Sequence, residues 1–539
     1  MRPRDLARLH GTEYDLLVVG GGIHGLASAY DAASRGLRVA LVEAGDFGGG
    51  ASFNHQKTAH GGLRALSTGN LARARHMIFE RRALARIAPW FLRPLPFIVG
   101  TYRSVTRSRS ALRAAFALES WLARRRNDGV DDQLHLPAPR LLSRAQTMKF
   151  FPGIRPERLT GGAQWYDYQM VENDRLTLAF AAGAERAGAD LANYAEAIGA
   201  LTEGGRVVGM MVRDRLGDGT FPVRSRLTLN AAGSHAGVVM DLFGVGRAFP
   251  LLKAMNLVTS RPAHDIALAA PTASGRMLTL VPWRGHAIVG TSHSERFLQS
   301  LDASVSSAEV ATFVEEANSA FPALHLSPAD VTLVHRGLLP AIAARGGVDL
   351  LAAHRIIDHA AAGAPGAITV VGVKYVTARG VAERAIDAVV RRLGARVRRS
   401  RTASMVLPGA GIADHEGVAI ETARALRLDI PLATLTRLSN RYSDAAGAIV
   451  RLMAERPEWR EPVSASVATL GAEVVHVIRN EMAVRLSDIV LRRTGLGAAG
   501  HPGEDAIAGC TRVAAAELGW SADRQREETA AVEQAYAIV

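Results

Sequence analysis

Three glycines near the amino terminus have the spacing of a turn that binds phosphate groups. The run YDLLVV at 14–19 is apolar and branched enough for a buried parallel strand, and it leads directly to Gly20, Gly22 and Gly25. In a G-x-G-x-x-G pattern the first glycine permits the tight turn, the second lets the backbone approach a pyrophosphate, and the third allows close helix packing. The amino-terminal end of the next helix then faces the phosphates. These residues predict a dinucleotide site.

A carboxylate and a long polar segment follow this turn. Gly36 ends the predicted helix, RVALV at 38–42 forms a second strand, and Glu43 stands where a ribose-binding acid belongs. The segment AGDFGGGASFNHQKTAHGGLRAL at 44–66 is rich in glycine, polar residues and histidine and has no helical periodicity. Such a stretch can wrap an extended cofactor, whereas a nicotinamide enzyme would usually return at once to another helix and strand. The sequence therefore favours FAD over NAD.

Over nearly its whole length the chain resembles the FAD-dependent glycerol-3-phosphate dehydrogenase family, a branch of the D-amino-acid-oxidase-like flavoproteins. The resemblance implies an enzyme that transfers a hydride from a CH–OH group to flavin N5. The segments that carry it occur in family order: VVGGGIHG at 18–25, KTAHGGLRAL at 57–66, ERRALARIAP at 80–89, LNAAG at 229–233, LVPW at 280–283, GTS at 290–292, GVKYVTARGVAERAID at 372–387 and EVVHVIRNEMAVRLSDIVLRRTGLG at 473–497.

The resemblance also implies a fold of mixed α/β and α+β class. A Rossmann-like FAD-binding domain is interleaved with a mixed-sheet substrate domain, and an all-helical domain follows at the C-terminus. A chain of 539 residues is long enough for several such cores. We expect the FAD-binding domain in 1–100, 200–240 and 355–400, the substrate or cap domain in 101–199 and 241–354, and the helical domain in 405–539.

The resemblance implies that two further stretches meet the first glycine turn around the flavin. The strand ending in LNAAG returns to the pyrophosphate side, and the late glycine turn at Gly372 approaches the isoalloxazine edge. His55 and His60 are candidates for a covalent link to the flavin, the alternative to non-covalent binding. The predicted FAD contacts are Gly20, Gly22, Ile23, His24, Gly25, Glu43, Ala44, Ser52, Lys57, His60, Gly61, Gly62, Leu63, Ala231, Ala232, Gly233, Gly372, Val373, Lys374 and Tyr375.

The substrate-binding positions depart from the family pattern. The family oxidises a phosphorylated three-carbon alcohol, and a buried phosphate dianion needs several cations. Leu339 and His354 occupy the places of two family arginines, and Asn256 replaces a family histidine. The substrate is therefore expected to be another alcohol, a hydroxy acid or an amine rather than glycerol 3-phosphate.

Three cations remain to bind a substrate that is still anionic: Arg64, Lys253 and Lys374. His335 is the leading candidate for the base that takes the hydroxyl proton, ahead of His293 and His354, because histidine accepts protons near neutral pH. We expect electrons to pass to a quinone or to oxygen. Two alternatives stay open: an oxidase of amines, amino acids or hydroxy acids that uses oxygen, and a catalytically altered flavoprotein that acts as a binding partner.

Composition limits the other classes of function. Cys510 is the only cysteine, so no intramolecular disulfide or cysteine-based metal centre can form, and no metal site is predicted. The polar amino terminus and the lack of an apolar run of about 18 residues favour a cytoplasmic protein. The formal charge of +13 is spread along the chain without a nucleic-acid motif. It indicates either a solvated basic surface or contact with the inner face of a membrane, for which the helix carrying Trp121 and the arginines at 124–126 is the candidate.

Overall fold

The computed structural model describes residues 1, 3–63, 69–103, 109–246, 249–344 and 347–539. Two β-sheets and a set of carboxyl-terminal helices organise them. The strands are β1 (Glu13–Val19), β2 (Val39–Val42), β3 (Thr58–Ala59), β4 (Leu92–Tyr102), β5 (Arg140–Leu142), β6 (Leu159–Met170), β7 (Asp190–Ala192), β8 (Ala195–Glu203), β9 (Arg206–Asp214), β10 (Thr220–Asn230), β11 (Leu251–Pro262), β12 (Ala267–Pro271), β13 (Met277–Trp283), β14 (His286–His293), β15 (Val331–Ala344), β16 (Gly347–Leu350), β17 (Arg355–Asp358) and β18 (Ala367–Val371).

Helices cover the sheets and form the carboxyl-terminal part of the chain. They are α1 (Leu6–Gly11), α2 (Ile23–Ser34), α3 (Leu71–Ile87), α4 (Arg109–Leu122), α5 (Arg144–Phe150), α6 (Asn173–Arg186), α7 (Ala236–Leu242), α8 (Ser307–Ala320), α9 (Ala378–Leu393), α10 (His415–Ala425), α11 (Leu432–Tyr442), α12 (Ala446–Glu455), α13 (Gly471–Glu481), α14 (Glu504–Leu518) and α15 (Ala522–Tyr536). A π-helical turn spans Asp488–Arg493.

The first sheet has the parallel core of a dinucleotide-binding domain. Its eight described strands run in the order β17–β18–β10–β1–β2–β7, and the β8–β9 hairpin extends from β10. β1 pairs in parallel with β2 and β10, and β10 pairs in parallel with β18. All residues of β2 and β18 are buried, as expected for parallel strands covered by helices. The carboxyl ends of these strands meet at one edge, where both glycine turns lie.

The second sheet is mixed and mostly antiparallel. Its ten described strands run β16–β15–β11–β14–β13–β12–β4–β6–β3, with β5 paired to β6. Helix α8 covers one face, where Val310 and Phe313 pack with Met255 and Leu257 of β11. The opposite face, here called the inner face, lies against the polar segment that follows the first glycine turn, since the Thr279 hydroxyl donates to the Gln56 side chain. A substrate beside a flavin would meet this inner face.

Strand pairing and helix packing cross two of the expected domain boundaries. Strand β4 begins at Leu92 and pairs with β6 and β12 in the second sheet, although residues up to 100 were expected in the FAD-binding domain. Helix α6 packs on α2, and β7 and β8 belong to the first sheet, although residues up to 199 were expected in the substrate domain. The partners of β4 and β7 lie far away in the sequence, so local patterns could not reveal these pairings.

The helices after residue 414 enclose a separate apolar core. Leu438, Ile449, Val474 and Ile489 are fully buried in it, together with Cys510. In the described parts of the chain, no helix is both long and apolar enough to cross a membrane.

Candidate active site

The first glycine turn joins the ends of β1 and β10 too closely for side chains. Gly20 has φ +109°, and a Cβ placed on it would lie 2.7 Å from the carbonyl oxygen of Ala231. A Cβ on Gly25 would overlap the carbonyl oxygen of Gly20. Both positions therefore require glycine, the first for its left-handed backbone and the second for close packing of α2.

The amide groups of this turn face oxygen acceptors, as in an anion-binding helix terminus. Gly21 N donates to Glu43 Oε2 at 2.5 Å, and Gly45 N donates to Glu43 Oε1 at 2.7 Å. Ile23 N, in the first turn of α2, donates to Ser52 Oγ at 2.9 Å. Burial raises the pKa of the Glu43 carboxyl, against the two backbone hydrogen bonds that lower it. The arrangement fits the ribose and pyrophosphate of a dinucleotide.

The second glycine turn is the late glycine turn at Gly372, and it contacts the first through His24. A Cβ on Gly372 would overlap the imidazole ring of His24, so the late turn can approach α2 only as glycine. Burial lowers the pKa of His24 to about 4, and its Nε2 is buried without a hydrogen-bond partner among the described residues. A buried nitrogen with no protein partner between two glycine turns fits a site completed by a cofactor.

The other predicted cofactor residues lie around these turns with mixed contacts. Ala232 N donates to the Asn230 side chain, and Gly233 begins a short 3-10 turn. Tyr375 hydrogen-bonds Thr177 at 2.9 Å and lies 5.1 Å from the ring of His55. Three more predicted contacts are next to these residues in the sequence: Ala44 follows Glu43, and Val373 and Lys374 follow Gly372. Gly62 packs on Met77, and Leu63 packs near Ala74.

Lys57 is enclosed rather than directed to the turns. Its side chain is fully buried, its ammonium donates to the carbonyl of Phe53, and it lies over the rings of Phe53 and Trp283 at 4.2 and 5.1 Å. Burial lowers its pKa to about 8. The predicted FAD contact of Lys57 stays a prediction.

His335 is equally enclosed. It lies on the inner face at 0% exposure, with the rings of Phe53 and Trp283 centred 5.2 and 6.3 Å away. Both ring nitrogens lack a hydrogen-bond partner among the described residues, and burial holds its pKa well below its usual range. This burial does not favour His335 as the base, and its role stays a prediction.

The predicted substrate cations are not brought together in the described part of the chain. Lys253 lies on the α8 side of β11 and forms a 2.6 Å ion pair with Glu309, because alternate strand residues point to opposite faces. This ion pair does not favour substrate binding by Lys253, and that role stays a prediction. Arg64 falls outside the described residues. Lys374 stays at the late glycine turn, where its neighbours Gly372 and Tyr375 are also found.

The two other candidate bases lie apart from each other. His354 is within 3.3 Å of an Arg384 nitrogen, and burial together with this cation lowers its pKa. In its protonated form His354 would lower the pKa of His24, so the two imidazoles lie within electrostatic range of each other. His293 ends β14, where its Nδ1 is 3.3 Å from the carbonyl oxygen of Ser294.

The structure adds a histidine and carboxylate pair that sequence patterns did not reveal. His60 Nδ1 is 3.4 Å from Asp167 Oδ2 on the inner face, and His60 Nε2 is 2.8 Å from Thr58 Oγ1. Asp167 also accepts hydrogen bonds from Gly61 N and Arg81. Burial alone would raise the pKa of Asp167, but His60 and Arg81 hold it below its usual range. The only sequence signal was His60 itself, since Asp167 is 107 residues away.

The amino-acid sequence matches two family models. Residues 15–379 match the model described as FAD dependent oxidoreductase, and residues 400–525 match the C-terminal domain of alpha-glycerophosphate oxidase. Among the described residues, no group of three histidine, cysteine, aspartate or glutamate side chains is placed to hold a metal ion.

Curated relatives and solved structures agree with these matches. The chain is 31% identical to a glycerol-3-phosphate dehydrogenase of Mycobacterium leprae over 96% of its own length and 88% of that protein. It is 28% identical to the glycerol-3-phosphate dehydrogenase of Synechocystis over 97% of this chain and 96% of the other. The FAD complex of the Bacillus halodurans glycerol-3-phosphate dehydrogenase superposes with a TM-score of 0.77 at 24% identity, covering 98% of this chain and 96% of that one.

Proposed function

From the premise that this chain belongs to the FAD-dependent oxidoreductases of the glycerol-3-phosphate dehydrogenase type, we propose that it oxidises a CH–OH group of a substrate with a single negative charge, such as a hydroxy acid. FAD is its cofactor, and when bound it supplies the hydride acceptor, flavin N5. The residues that fit the cofactor follow the family pattern. It differs from the family pattern on the substrate side.

The loss of two cations, at positions where the family pattern has arginines, supports the proposal. Leu339 pairs with Leu252 in the sheet, so an apolar side chain stands where the family pattern has an arginine. His354 has a lowered pKa and is uncharged at neutral pH. Lys253 is neutralised by Glu309 on the other face. Burying a phosphate dianion against so few cations would be costly, whereas one carboxylate could be held by Lys374 and a second donor.

We assign the proton-accepting role to His60. Asp167 faces the Nδ1 side of the ring and favours the tautomer that carries a proton there, which leaves Nε2 as the acceptor. Arg81 fixes the carboxylate at 2.5 Å, so the pair is held rigidly. The His60 side chain is 40% exposed, unlike that of His335, and a substrate hydroxyl could replace Thr58 as the partner of Nε2.

Anaerobic mixing of the FAD-loaded protein with candidate substrates tests the proposal directly. Glycerol 3-phosphate should leave the visible absorbance of the oxidised flavin unchanged, and at least one hydroxy acid should bleach it. Rapid bleaching by glycerol 3-phosphate would overturn the substrate assignment. Bleaching by amines or amino acids alone would favour the amine-oxidase alternative, and no bleaching by any compound would favour a binding role.

The same panel tests His60. With a substrate that bleaches the wild-type flavin, His60→Asn should slow reduction by about 10²–10⁴-fold, the usual contribution of a general base. His264→Asn, at an exposed histidine, is the matched control and should reduce normally. An unchanged rate in His60→Asn would remove this residue from the mechanism.

The electron acceptor is proposed to be a quinone at a membrane surface, with oxygen as the alternative. Helices α3 and α4 pack together near Ala74 and leave Trp121 64% exposed beside a basic segment. Exposed tryptophan and arginine are suited to the headgroup region of an anionic bilayer. Co-sedimentation with anionic vesicles that weakens with salt and in Trp121→Ser is expected. Stoichiometric hydrogen peroxide without vesicle binding would favour oxygen.

A further inference from the structure

An open cleft lies between the second sheet and the carboxyl-terminal helices, and the residues that line it belong to neither glycine turn. Its volume is about 770 Å³. The sheet side contributes Glu172 and Arg284, and α11 contributes Arg437, Asn440 and Arg441. The rest of the wall comes from the segments 467–469 and 494–496. This volume is within the range of about 300–1,000 Å³ for small-molecule sites.

The cleft has more cationic than anionic groups. Arg284 and Arg441 both donate to a single oxygen of Glu172, at 2.7 and 2.6 Å. Arg437 donates to both oxygens of Glu473, at 3.0 and 2.6 Å. Asp174 also acts electrostatically on Arg441, so the three guanidinium groups have three carboxylates nearby, of which only Glu172 lines the cleft. The guanidinium donors on the lining, rather than a net positive charge, favour an anion.

Arg441 has a hydrogen-bond donor that the described protein does not use. The residue is 8% exposed, and its Nε is buried without a hydrogen-bond partner among the described residues. Since a buried donor without a partner costs free energy, an acceptor from outside the protein would be stabilised there. Guanidinium groups match planar carboxylates and phosphate oxygens in particular.

We propose that this interdomain cleft binds a small-molecule oxyanion, with a phosphate or carboxylate group that competes with Glu172 for Arg284 and Arg441. The site is distinct from the proposed substrate site on the inner face, and the proposal does not depend on which substrate the enzyme oxidises.

Two short series of contacts connect the cleft to the polar segment that follows the first glycine turn. Glu172 precedes Asn173, whose side chain is 2.8 Å from His55 Nε2 and donates to the carbonyl of Ser52. The guanidinium of Arg284 lies 4.5 Å from the ring centre of Trp283, which packs near Lys57. An anion that draws the arginines from Glu172 would therefore alter the surroundings of the flavin. This gives the enzyme a means of regulation by an anionic metabolite.

Ala468 offers a matched pair of variants. It is exposed and lines the cleft, so Ala468→Glu adds a negative charge there, and Ala468→Gln adds nearly the same volume without charge. The FAD-loaded enzymes are titrated with inorganic phosphate and, separately, with citrate, at ionic strength held constant with sodium chloride. Binding is measured by calorimetry and by the change in the visible flavin spectrum.

We expect wild type and Ala468→Gln to bind at least one probe with the same affinity, and Ala468→Glu to bind it about tenfold more weakly. Arg284→Gln should also weaken binding, while Glu172 stays paired with Arg441. The probe that binds distinguishes a phosphate from a carboxylate ligand. Equal affinity in Ala468→Glu and Ala468→Gln, or no saturable binding of either probe, would overturn the proposal.

Discussion

The two glycine turns and the inner face of the second sheet are neighbouring regions that place different requirements on the sequence. At the turns the requirements fall on the backbone: Gly20, Gly25 and Gly372 leave no space for a Cβ, and amide groups provide the donors. On the inner face the requirements fall on side chains such as Leu339 and Asn256. A site built from backbone changes only if the fold changes, whereas a site built from side chains can change one residue at a time.

This difference accounts for how the chain departs from the family pattern. It remains 31% identical to a curated glycerol-3-phosphate dehydrogenase over 96% of its length. Its departures on the substrate side remove charge, since Leu339 is apolar and His354 is uncharged near neutral pH. The cofactor and the chemistry at the flavin can be shared while the substrate differs.

Replacing Gly25 by alanine should have the largest effect, because it tests the backbone-built site. The new methyl group would overlap the carbonyl oxygen of Gly20, and overpacking of this kind costs about 1–3 kcal/mol. If that strain falls on the cofactor-bound state, FAD binds at least about tenfold more weakly. The measurement is the ratio of flavin to protein after purification, followed by titration of the apoprotein with FAD.

Gly11→Ala is the control for this variant. A Cβ at Gly11, the last residue of α1, meets nothing within 4 Å, so FAD content should not change. Full flavin content in Gly25→Ala would contradict the view that close packing at the turn determines the cofactor site.

Restoring charge to the inner face should have an intermediate effect and sharpen the comparison. Leu339→Arg combined with His354→Arg returns two cations to the positions where the family pattern has arginines. Because a charge-assisted hydrogen bond contributes about 1.5–3 kcal/mol, glycerol 3-phosphate should reduce the flavin of this double variant at least about tenfold faster than the wild-type flavin. Stopped-flow absorbance under anaerobic conditions measures the rate.

The double variant Leu339→Gln with His354→Gln provides polar side chains without charge and should give no such gain. Equal rates in the two double variants would mean that charge at these positions does not determine the substrate.

Local patterns in the sequence predicted the cofactor half well. The strand expected at 14–19 is observed as Glu13–Val19, and the one expected at 38–42 as Val39–Val42. Strand, turn, helix and acid follow one another within a short stretch, so spacing alone fixes their relative positions. Glu43 therefore lies at the turn, as predicted.

The substrate half could not be predicted in the same way. The His60 and Asp167 pair depends on strands β3 and β6, whose register no short pattern encodes. The face on which Lys253 lies depends on α8, more than 50 residues later, which supplies Glu309. Likewise, Phe53 and Trp283 enclose His335 from two other segments. Burial and partners of these groups follow from tertiary pairing rather than from residue type.

Replacing His335 by leucine should have the smallest effect and separates a buried histidine from a catalytic one. The pKa of His335 in the folded protein lies well below the usual value near 6.5, so the unfolded chain binds more protons as the pH falls below 6.5. Wild-type stability should therefore decrease in that range, by up to about 1.4 kcal/mol per pH unit from this residue. Leucine has no such proton to take up.

Urea unfolding at pH 7.5 and pH 5.5 measures this difference. His335→Leu should unfold close to wild type at pH 7.5 and resist urea better than wild type at pH 5.5. Part of the acid sensitivity should remain, because the pKa of His24 is also lowered, to about 4. Flavin reduction by the best substrate should be unchanged in this variant. If reduction instead slows as much as in His60→Asn, then His335 is exposed to substrate in the cofactor-bound enzyme, and the inner face is more open than its packing indicates.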